Sequence, residues 1–350
     1  MDRMTTYLRP LGFLYGPDAR RAVASGDAGA LGGSGFIAFT HVEIVTRQAG
    51  RIDRRVVAYP QSAKDCTVIT RPRTPLAGLE FSVPRIMGIV NVTPDSFSDD
   101  GLNEEAPTAI ANGNALAEEG ADILDIGGES TRPGSDPVPE DEECRRILPV
   151  ITALAASGHR VSVDTRKAAV MAKAASAGAR IINDVSALGH DPESLATAAR
   201  LGLPVILMHA KGDPKTMQVR PEYDDVALDV FDALKARIDA CIAAGIEPSR
   251  IAVDPGIGFG KTFRHNLDLL HQLALFHGLG VLLMIGLSRK AFIGSLTMER
   301  NAGRRVHGST GGAVQAALSG AQILRVHDVA ATRQALAVAL AAADPERAPV

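Results

Sequence analysis

Residues 91–101 combine many hydrogen-bonding side chains with a single aromatic residue, Phe97. They follow the apolar run 86–90, which is typical of a buried strand. A turn that ends such a strand needs only a few polar residues. The excess of carboxylate, amide and hydroxyl groups therefore indicates a loop that contacts a ligand.

Polar residues also end other short apolar runs, and three of them suit a flat heterocycle rich in N–H groups. Asp164, Asn183 and Asp254 offer carboxylate and amide groups from three separate runs. A carboxylate accepts hydrogen bonds from ring N–H groups, and an amide donates and accepts at once. Metal binding is the competing use of such carboxylates, but it requires closer spacing and more oxygen ligands than the sequence establishes.

The glycine-rich segment 254–262, DPGIGFGKT, resembles a phosphate-binding loop only superficially. The Walker pattern requires four residues between its first glycine and the Gly-Lys pair, whereas Gly256 and Gly260 are separated by three. We therefore reject nucleotide binding. Glycines here would let the backbone turn closely beneath a flat ligand, with Phe259 as a wall and Asp254 facing the ligand.

Two basic segments could bind a phosphate-rich group. In GLSRKAF, Ser288 and Lys290 lie where a strand becomes a helix, and a helix start binds anions through its free N–H groups. Arg325 and His327 lie two residues apart, on one face of a strand. Arginine can contact phosphate with two hydrogen bonds, so Arg325 and His327, together with Asn91, predict a diphosphate pocket.

Residues 125–134, DIGGESTRPG, join a strand-end carboxylate, Asp125, to a loop that contains Glu129, Thr131 and Arg132. Two glycines and an arginine suit a loop that closes over a substrate. A solvated loop with no contact to a ligand is the alternative.

The elements that must position these residues alternate from residue 85 onward between short apolar runs and segments rich in Ala, Leu and Glu. The eight runs are 86–91, 122–127, 160–165, 180–185, 204–209, 250–255, 281–287 and 322–328. Eight strands alternating with helices over roughly 260 residues predict an α/β protein with a closed (β/α)8 TIM barrel. A doubly wound open sheet remains the alternative. In a barrel, the polar strand ends share one rim, where active sites form.

Residues 1–80 lack this alternation. The segments 36–47 and 54–60 indicate strands that could form a hairpin. We therefore predict two parts: an N-terminal extension over 1–80, as a small β layer packed on the barrel, and the barrel itself over 85–342.

Composition excludes several classes of protein. The 350 residues carry a formal charge of -3 and no Trp, with 4% aromatic residues, so neither a basic field nor a stacking surface for nucleic acid is expected. The three cysteines show no disulfide or zinc spacing. The most apolar window, 281–287, is too short to span a bilayer, and no signal peptide is evident. A cytoplasmic protein is expected.

The motifs, taken together and in this order, resemble the successive signatures of the dihydropteroate synthase family. They are NVTPDSFSDDG, DIGGESTRPG, SVDT, INDV, LMHAKGDPKTMQ, DPGIGFGK, LSRKAFIG and LRVHDV. The resemblance covers about residues 85–335, and residues 1–80 lie outside the common family core. It implies a (β/α)8 barrel and a folate-pathway enzyme that joins dihydropterin methyl diphosphate to 4-aminobenzoate. It also implies that diphosphate is released with the help of Mg²⁺ through a dissociative displacement. A homodimer is implied as well.

The resemblance assigns roles residue by residue. Pterin contacts are implied for Asp164, Asn183, Met208, Asp254, Phe259 and Lys290. Contacts to the diphosphate and its Mg²⁺ are implied for Asn91, Arg325 and His327, with Asn91 as the metal ligand. Loops 92–101 and 128–135 bring Asp95, Thr131 and Arg132 to the aminobenzoate end, and Asp125 precedes the second loop. The catalytic set is then Asp95, Asn91, Lys290 and Arg325.

One position departs from the family pattern. Ala291 stands where many members carry a serine that helps to hold the aminobenzoate carboxylate; Ser288 and the helix start would replace it. Two alternatives remain, a pterin-binding methyltransferase domain and a pterin-binding paralogue without catalytic activity. The first has no need for a diphosphate pocket.

Overall fold

A computed structural model of the chain describes residues 4–92, 106–130, 135–212 and 216–347. An antiparallel sheet forms its N-terminal part. The strands are β1 (Thr5–Tyr15), β2 (Gly29–Ala30), β3 (Ile37–Gln48) and β4 (Arg51–Ala58), and the helices are α1 (Gly16–Ala24), α2 (Tyr59–Ser62) and α3 (Thr67–Thr70), with a 3-10 turn at Leu31–Gly33. β3 is central and pairs with the other three strands.

The hairpin predicted within 36–60 is confirmed. β3 and β4 pair antiparallel and are joined by Ala49 and Gly50, whose φ angles are 50° and 77°. Positive φ at both central residues is the geometry that tight hairpin turns require. β1 pairs along the other edge of β3, so the extension is a sheet larger than the predicted hairpin.

The eight parallel strands predicted from residue 85 onward form a closed barrel in the described part of the chain. They are β5 (Arg85–Asn91), β6 (Ile123–Gly127), β7 (Val161–Asp164), β8 (Ile181–Asp184), β9 (Val205–Met208), β10 (Ile251–Asp254), β11 (Leu282–Ile285) and β12 (Ile323–Val326). Each pairs with its neighbour in sequence, and β12 returns to pair with β5. Closure confirms the TIM barrel and rejects the open sheet.

Helices follow the barrel strands in the described residues. They are α4 (Ala106–Glu118), α5 (Glu140–Ala156), α6 (Ala168–Ala177), α7 (Ser194–Leu201), α8 (Val226–Ala243), α9 (Phe263–His271), α10 (Ala291–Thr297), α11 (Val306–Leu318) and α12 (Val329–Ala343), with 3-10 turns at Pro248–Arg250, Leu273–Leu279, Ala302–Arg304 and Pro345–Arg347. Local sequence fixes several ends. Asp225 caps α8 by accepting from two backbone N–H groups, and Gly178 and Gly202 end α6 and α7 in left-handed conformations. None of the described helices is both long and apolar enough to cross a bilayer.

Apolar side chains from the strands fill the amino-terminal part of the barrel. Met87, Ile123, Ile181 and Ile206 are fully buried there, and Leu76 and Leu79 pack against the same cluster from the segment before β5. Because this core occupies the amino-terminal part of the barrel, space for a ligand is expected at the carboxyl ends of the strands.

The N-terminal sheet is fixed to the barrel by buried and charged contacts. Tyr7 is 1% exposed and packs edge-on against Phe231 with ring centroids 5.3 Å apart. Its hydroxyl donates to Asp232 Oδ2 at 2.8 Å. Arg47 Nη1 donates to Asp229 Oδ1 of the same helix at 2.6 Å. The sheet therefore covers α8.

Replacing Tyr7 by alanine is expected to lower the free energy of unfolding by about 3–5 kcal/mol, because a buried aromatic ring and its packing are lost. Tyr7→Phe keeps the ring and loses only the hydrogen bond to Asp232, so a loss of about 1 kcal/mol is expected. Urea denaturation followed by circular dichroism measures both. Equal stability of Tyr7→Ala and the parent chain would show that the ring does not hold the sheet on the barrel.

Candidate active site

Four of the predicted residues form one hydrogen-bonded cluster at the barrel mouth. Arg325 Nε donates to Asp125 Oδ2 at 2.6 Å, and Arg325 Nη2 donates to Asp164 Oδ2 at 2.6 Å. Asn183 Nδ2 donates to the same Asp125 oxygen at 3.0 Å. Residues that are far apart in sequence, from β12, β6, β7 and β8, thus share one site.

The cluster contains two carboxyl groups but only one guanidinium. Burial raises the pKa of Asp164 to about 7; Arg325 opposes this shift and the nearby Asp125 adds to it. Burial alone would lower the pKa of Arg325, but the two carboxylates raise it. Asp125 Oδ1 is buried and has no hydrogen-bond partner among the described residues. One guanidinium therefore stabilises two carboxylates, and acceptor capacity remains for ligand N–H groups.

Asn91 lies beside this cluster, at the end of β5. A Cβ placed on Gly127 would lie 3.7 Å from Asp164 Oδ2 and 3.8 Å from Asn91 Oδ1. The missing side chain at Gly127 leaves the Asn91 amide oxygen and the Asp164 carboxylate on the same side of β6.

Asp254, at the end of β10, faces the same mouth. It is 2% exposed, and its Oδ1 accepts a hydrogen bond from Gly256 N at 2.7 Å. A Cβ on Gly286 would lie 3.5 Å from Asp254 Oδ2 and 3.7 Å from Arg325 Cβ. Glycine at position 286 therefore lets Asp254 and Arg325 line one space.

The glycine-rich segment forms one wall of the mouth. Lys290 Nζ lies 4.7 Å from the Phe259 ring centroid, within cation–π range, and donates to the Ile257 carbonyl. A Cβ on Gly256 would lie 3.3 Å from Met208 Cγ. Burial lowers the pKa of Lys290 to about 8, although Asp254 opposes the shift. Met208, Phe259 and Lys290, each predicted to contact the ligand, are thus tied to one segment.

Ser288 and His327 come together just beyond the carboxyl ends of the neighbouring strands β11 and β12. Ser288 Oγ lies 3.1 Å from His327 Nδ1 and accepts from the His327 backbone N–H at 3.3 Å. Ser288 lies in the loop after β11, because that strand ends at Ile285, two residues before the end of the predicted run. Arg289 pairs with Asp328 instead, with Nε 3.1 Å from Oδ2.

The second predicted loop is described only at its base. Asp125 lies in the middle of β6, not at its end, because the strand continues to Gly127 and pairs with β7 through Asp164. Glu129 is buried, and its carboxylate pairs with Arg166 at 3.0 Å and with Lys167 at 3.1 Å. Asp95, Thr131 and Arg132 lie outside the described residues.

Lys261 was not predicted, yet it lies in the wall of the mouth. Its side chain is buried, with the residue 2% exposed, and Nζ donates to the Phe259 carbonyl at 2.9 Å and the His209 carbonyl at 3.2 Å. Its sequence signal is a lysine directly after the last glycine of the segment 254–262.

No group of three His, Cys, Asp or Glu side chains in the described ranges could hold a metal ion. The Asn91 amide oxygen at the end of β5 could contribute one ligand to a hard cation. Mg²⁺ is commonly bound by one or two protein oxygens together with phosphate oxygens and water. The buried Asp125 oxygen without a partner adds to the oxygen-rich character of this region.

The fold and the site together define a (β/α)8-barrel protein whose mouth gathers carboxylates, an amide and cations at the carboxyl ends of the strands. The profile of the family described as pterin binding enzyme matches residues 87–327. The chain belongs to this pterin binding enzyme family.

Similar proteins carry a more specific name. The dihydropteroate synthase of Neisseria meningitidis serogroup B is 53% identical over 262 residues, which is 73% of this chain and 91% of that protein. The Escherichia coli dihydropteroate synthase is 46% identical over 261 residues, 74% of this chain and 92% of that protein. Both matches leave about a quarter of this chain uncovered.

Solved structures show the same relationship. Xanthomonas albilineans dihydropteroate synthase with 4-aminobenzoic acid superposes with a TM-score of 0.73 at 50% identity, covering 79% of this chain and 99% of that chain. The Yersinia pestis dihydropteroate synthase with a sulfonamide drug gives a TM-score of 0.73 at 46% identity, covering 75% of this chain and 96% of that chain.

Proposed function

We propose that this chain is a dihydropteroate synthase, which condenses dihydropterin methyl diphosphate with 4-aminobenzoate to give 7,8-dihydropteroate and diphosphate. The observation that carries the proposal is the cluster of Asp125, Asp164, Asn183 and Arg325 in one hydrogen-bonded unit. The cluster lies within the range that matches the pterin binding enzyme family. Relatives at 46–53% identity carry the name of this enzyme.

The pterin binds in the mouth between the cluster and the glycine-rich wall. Asp164 and Asp254 accept hydrogen bonds from ring N–H groups, and Asn183 both donates and accepts. Met208 and Phe259 contact the ring, and Lys290 donates to it. The burial of the Asp164 and Asp254 carboxylates supports this arrangement. A buried carboxylate without a hydrogen-bond donor is costly, so the site favours a ligand that provides matching N–H groups.

The diphosphate lies at the rim beside Arg325, with Ser288 and His327 as further polar contacts. Asn91 would hold Mg²⁺ through its amide oxygen, together with diphosphate oxygens. The bound ion would supply charge neutralisation for the leaving group. Arg325 contributes a fixed positive charge at the same rim.

In the reaction, the C–O bond between the pterin methylene carbon and the diphosphate breaks, and diphosphate leaves with both electrons. The resulting cation is stabilised by conjugation with the electron-rich pterin ring. The neutral arylamine of 4-aminobenzoate attacks the methylene carbon, forms the C–N bond and then releases a proton to solvent. The family resemblance assigns Asp95 to the cation and Thr131 and Arg132 to the aminobenzoate end, and exclusion of water from the site would prevent hydrolysis of the cation.

A direct assay tests the proposal. The purified protein is supplied with dihydropterin methyl diphosphate and Mg²⁺, with or without 4-aminobenzoate, and diphosphate release and dihydropteroate formation are followed. Both products are expected in equal amounts when all components are present. Tight pterin binding without either product would instead identify a pterin-binding protein without catalytic activity.

Ala291, which stands where many family members carry a serine, gives a separate prediction. Ala291 is exposed and is the first residue of α10, and a hydroxyl there would add one hydrogen bond to the aminobenzoate carboxylate. Because such a bond contributes about 1 kcal/mol, Ala291→Ser is expected to lower the KM for 4-aminobenzoate roughly two- to tenfold. Steady-state kinetics measure it, with the KM for the pterin substrate as the control. An unchanged aminobenzoate KM would remove Ala291 from this binding site.

Family membership supports two further expectations, a homodimer and a cytoplasmic location. Light scattering of the purified protein at several concentrations tests the first, and fractionation of cells tests the second.

A further inference from the structure

Lys261 is a buried ammonium whose hydrogen bonds are all made to neutral acceptors. Nζ lies 3.0 Å from His209 Nδ1, 3.2 Å from the His209 carbonyl and 2.9 Å from the Phe259 carbonyl. An ammonium has three protons to donate, so these acceptors use its full capacity. A fully satisfied buried lysine at this place indicates a fixed geometry for the groups around it.

The acceptors belong to two different loops that leave little room between them. His209 follows β9, whereas Phe259 lies in the glycine-rich segment after β10. A Cβ on Gly256 would lie 1.9 Å from the His209 carbonyl oxygen, and a Cβ on Gly260 would lie 2.4 Å from the Lys211 carbonyl oxygen. Backbone contacts this close permit no other residue at the two glycines, and Lys261 joins the two loops.

Lys261 is one of three cations whose charge acts on Asp254. Burial raises the pKa of Asp254, and of these cations Lys290 opposes this shift most, followed by Arg325 and Lys261. Burial also lowers the pKa of Lys261 to about 7; the Asp254 carboxylate opposes this shift, and Lys290 adds to it. Burial, together with Lys261, lowers the pKa of His209 to about 3. His209 is therefore neutral at pH 7, and its Nδ1 can accept the proton of the ammonium. Lys211 and His265 also face this group of charges.

We propose that Lys261 is a positioning residue for the heterocycle, joining the two loops and holding Phe259 in place as the wall. The inference rests on the proposed function, because it assigns the same site to the pterin. Lys261 does not contact the ligand in this proposal; it acts through Phe259.

The test compares Lys261→Met with Tyr223→Phe as a matched control. The Tyr223 hydroxyl donates to the Gly260 carbonyl at 2.8 Å, so Tyr223→Phe loosens the same segment without changing its charge. Affinity for 6-hydroxymethylpterin is measured by calorimetry from pH 5 to pH 9, together with the KM values for both substrates. If Lys261→Met does not fold, the same measurements are made on Lys261→Gln, which keeps hydrogen-bond donors but not the charge.

In Lys261→Met, pterin affinity and the KM for dihydropterin methyl diphosphate are expected to worsen at least about tenfold, while the KM for 4-aminobenzoate changes less than twofold. Tyr223→Phe is expected to weaken pterin binding less than Lys261→Met does, because it removes one hydrogen bond to the segment and leaves Lys261 in place. Parent-like pterin affinity in both Lys261 variants, or an equal loss in Tyr223→Phe, would overturn the inference. Failure of the parent chain to release diphosphate would instead contradict the proposed function, since pterin affinity is measured without turnover.

Discussion

Replacing Arg325 by alanine is expected to lower kcat/KM for dihydropterin methyl diphosphate by about a thousandfold or more. Two effects combine. The leaving diphosphate loses a fixed positive charge at the rim, and Asp125 and Asp164 lose the guanidinium that stabilises both. Because the pKa of Asp164 is already raised to about 7, removal of Arg325 will raise it further. At pH 7 Asp164 will then be protonated and will no longer accept as a carboxylate.

Arg289→Ala is the matched control for this experiment. Arg289 lies in the neighbouring loop, but its guanidinium pairs with Asp328, so we expect less than a tenfold change in kcat/KM. Steady-state kinetics at pH 7 and pH 8.5 measure both variants. The activity of Arg325→Ala relative to the parent chain is expected to recover in part at the higher pH, because Asp164 regains its charge there. Parent-like activity in Arg325→Ala would remove this residue from the catalytic set.

The barrel could be predicted from the sequence because its strands are short apolar runs at regular intervals, each followed by a helical segment. The runs 86–91 and 250–255 correspond to β5 and β10 within one residue at either end. Periodicity does not determine strand ends, because backbone pairing to neighbours does. β11 ends before Ser288 for this reason, while β6 continues past Asp125.

The N-terminal sheet was predicted only in part. β1 contains Pro10 and glycine at position 12, and both residues weaken a strand pattern. The strand forms because all its residues except Gly12 pair with β3 and because it buries Tyr7 against the barrel. Contacts of this kind, between residues more than 200 positions apart, leave no trace in local composition.

Much of the site could be predicted, since polar residues that end apolar runs are costly unless they have partners. Asp164, Asn183, Asp254 and Arg325 were identified on that ground, and they converge as expected. Lys261 was missed because its importance depends on His209, a residue more than 50 positions away that only the fold brings within hydrogen-bond distance. Asp95, Thr131 and Arg132 stay predictions.

The activity of the parent chain is expected to fall as pH rises above about 8, because Lys290 loses its proton there. The neutral amine would no longer donate to the ring as a cation or balance Asp254. Lys290→Arg should move this alkaline limb beyond about pH 10, since arginine stays protonated throughout the range. Lys290→Ala should reduce kcat/KM by about a hundredfold or more at every pH.

Stability should change in the opposite direction over the same range. The folded-state pKa of Lys290, about 8, lies below the ordinary lysine value, so the unfolded chain binds more protons between these two pH values. The contribution of Lys290 to the free energy of unfolding therefore rises from pH 8 to about pH 10.4, while activity falls. Urea denaturation of the parent chain and of Lys290→Met across this range isolates the contribution as the difference between them. An alkaline limb that remains near pH 8 in Lys290→Arg would assign the titration to another group, with Lys261 as the first to test.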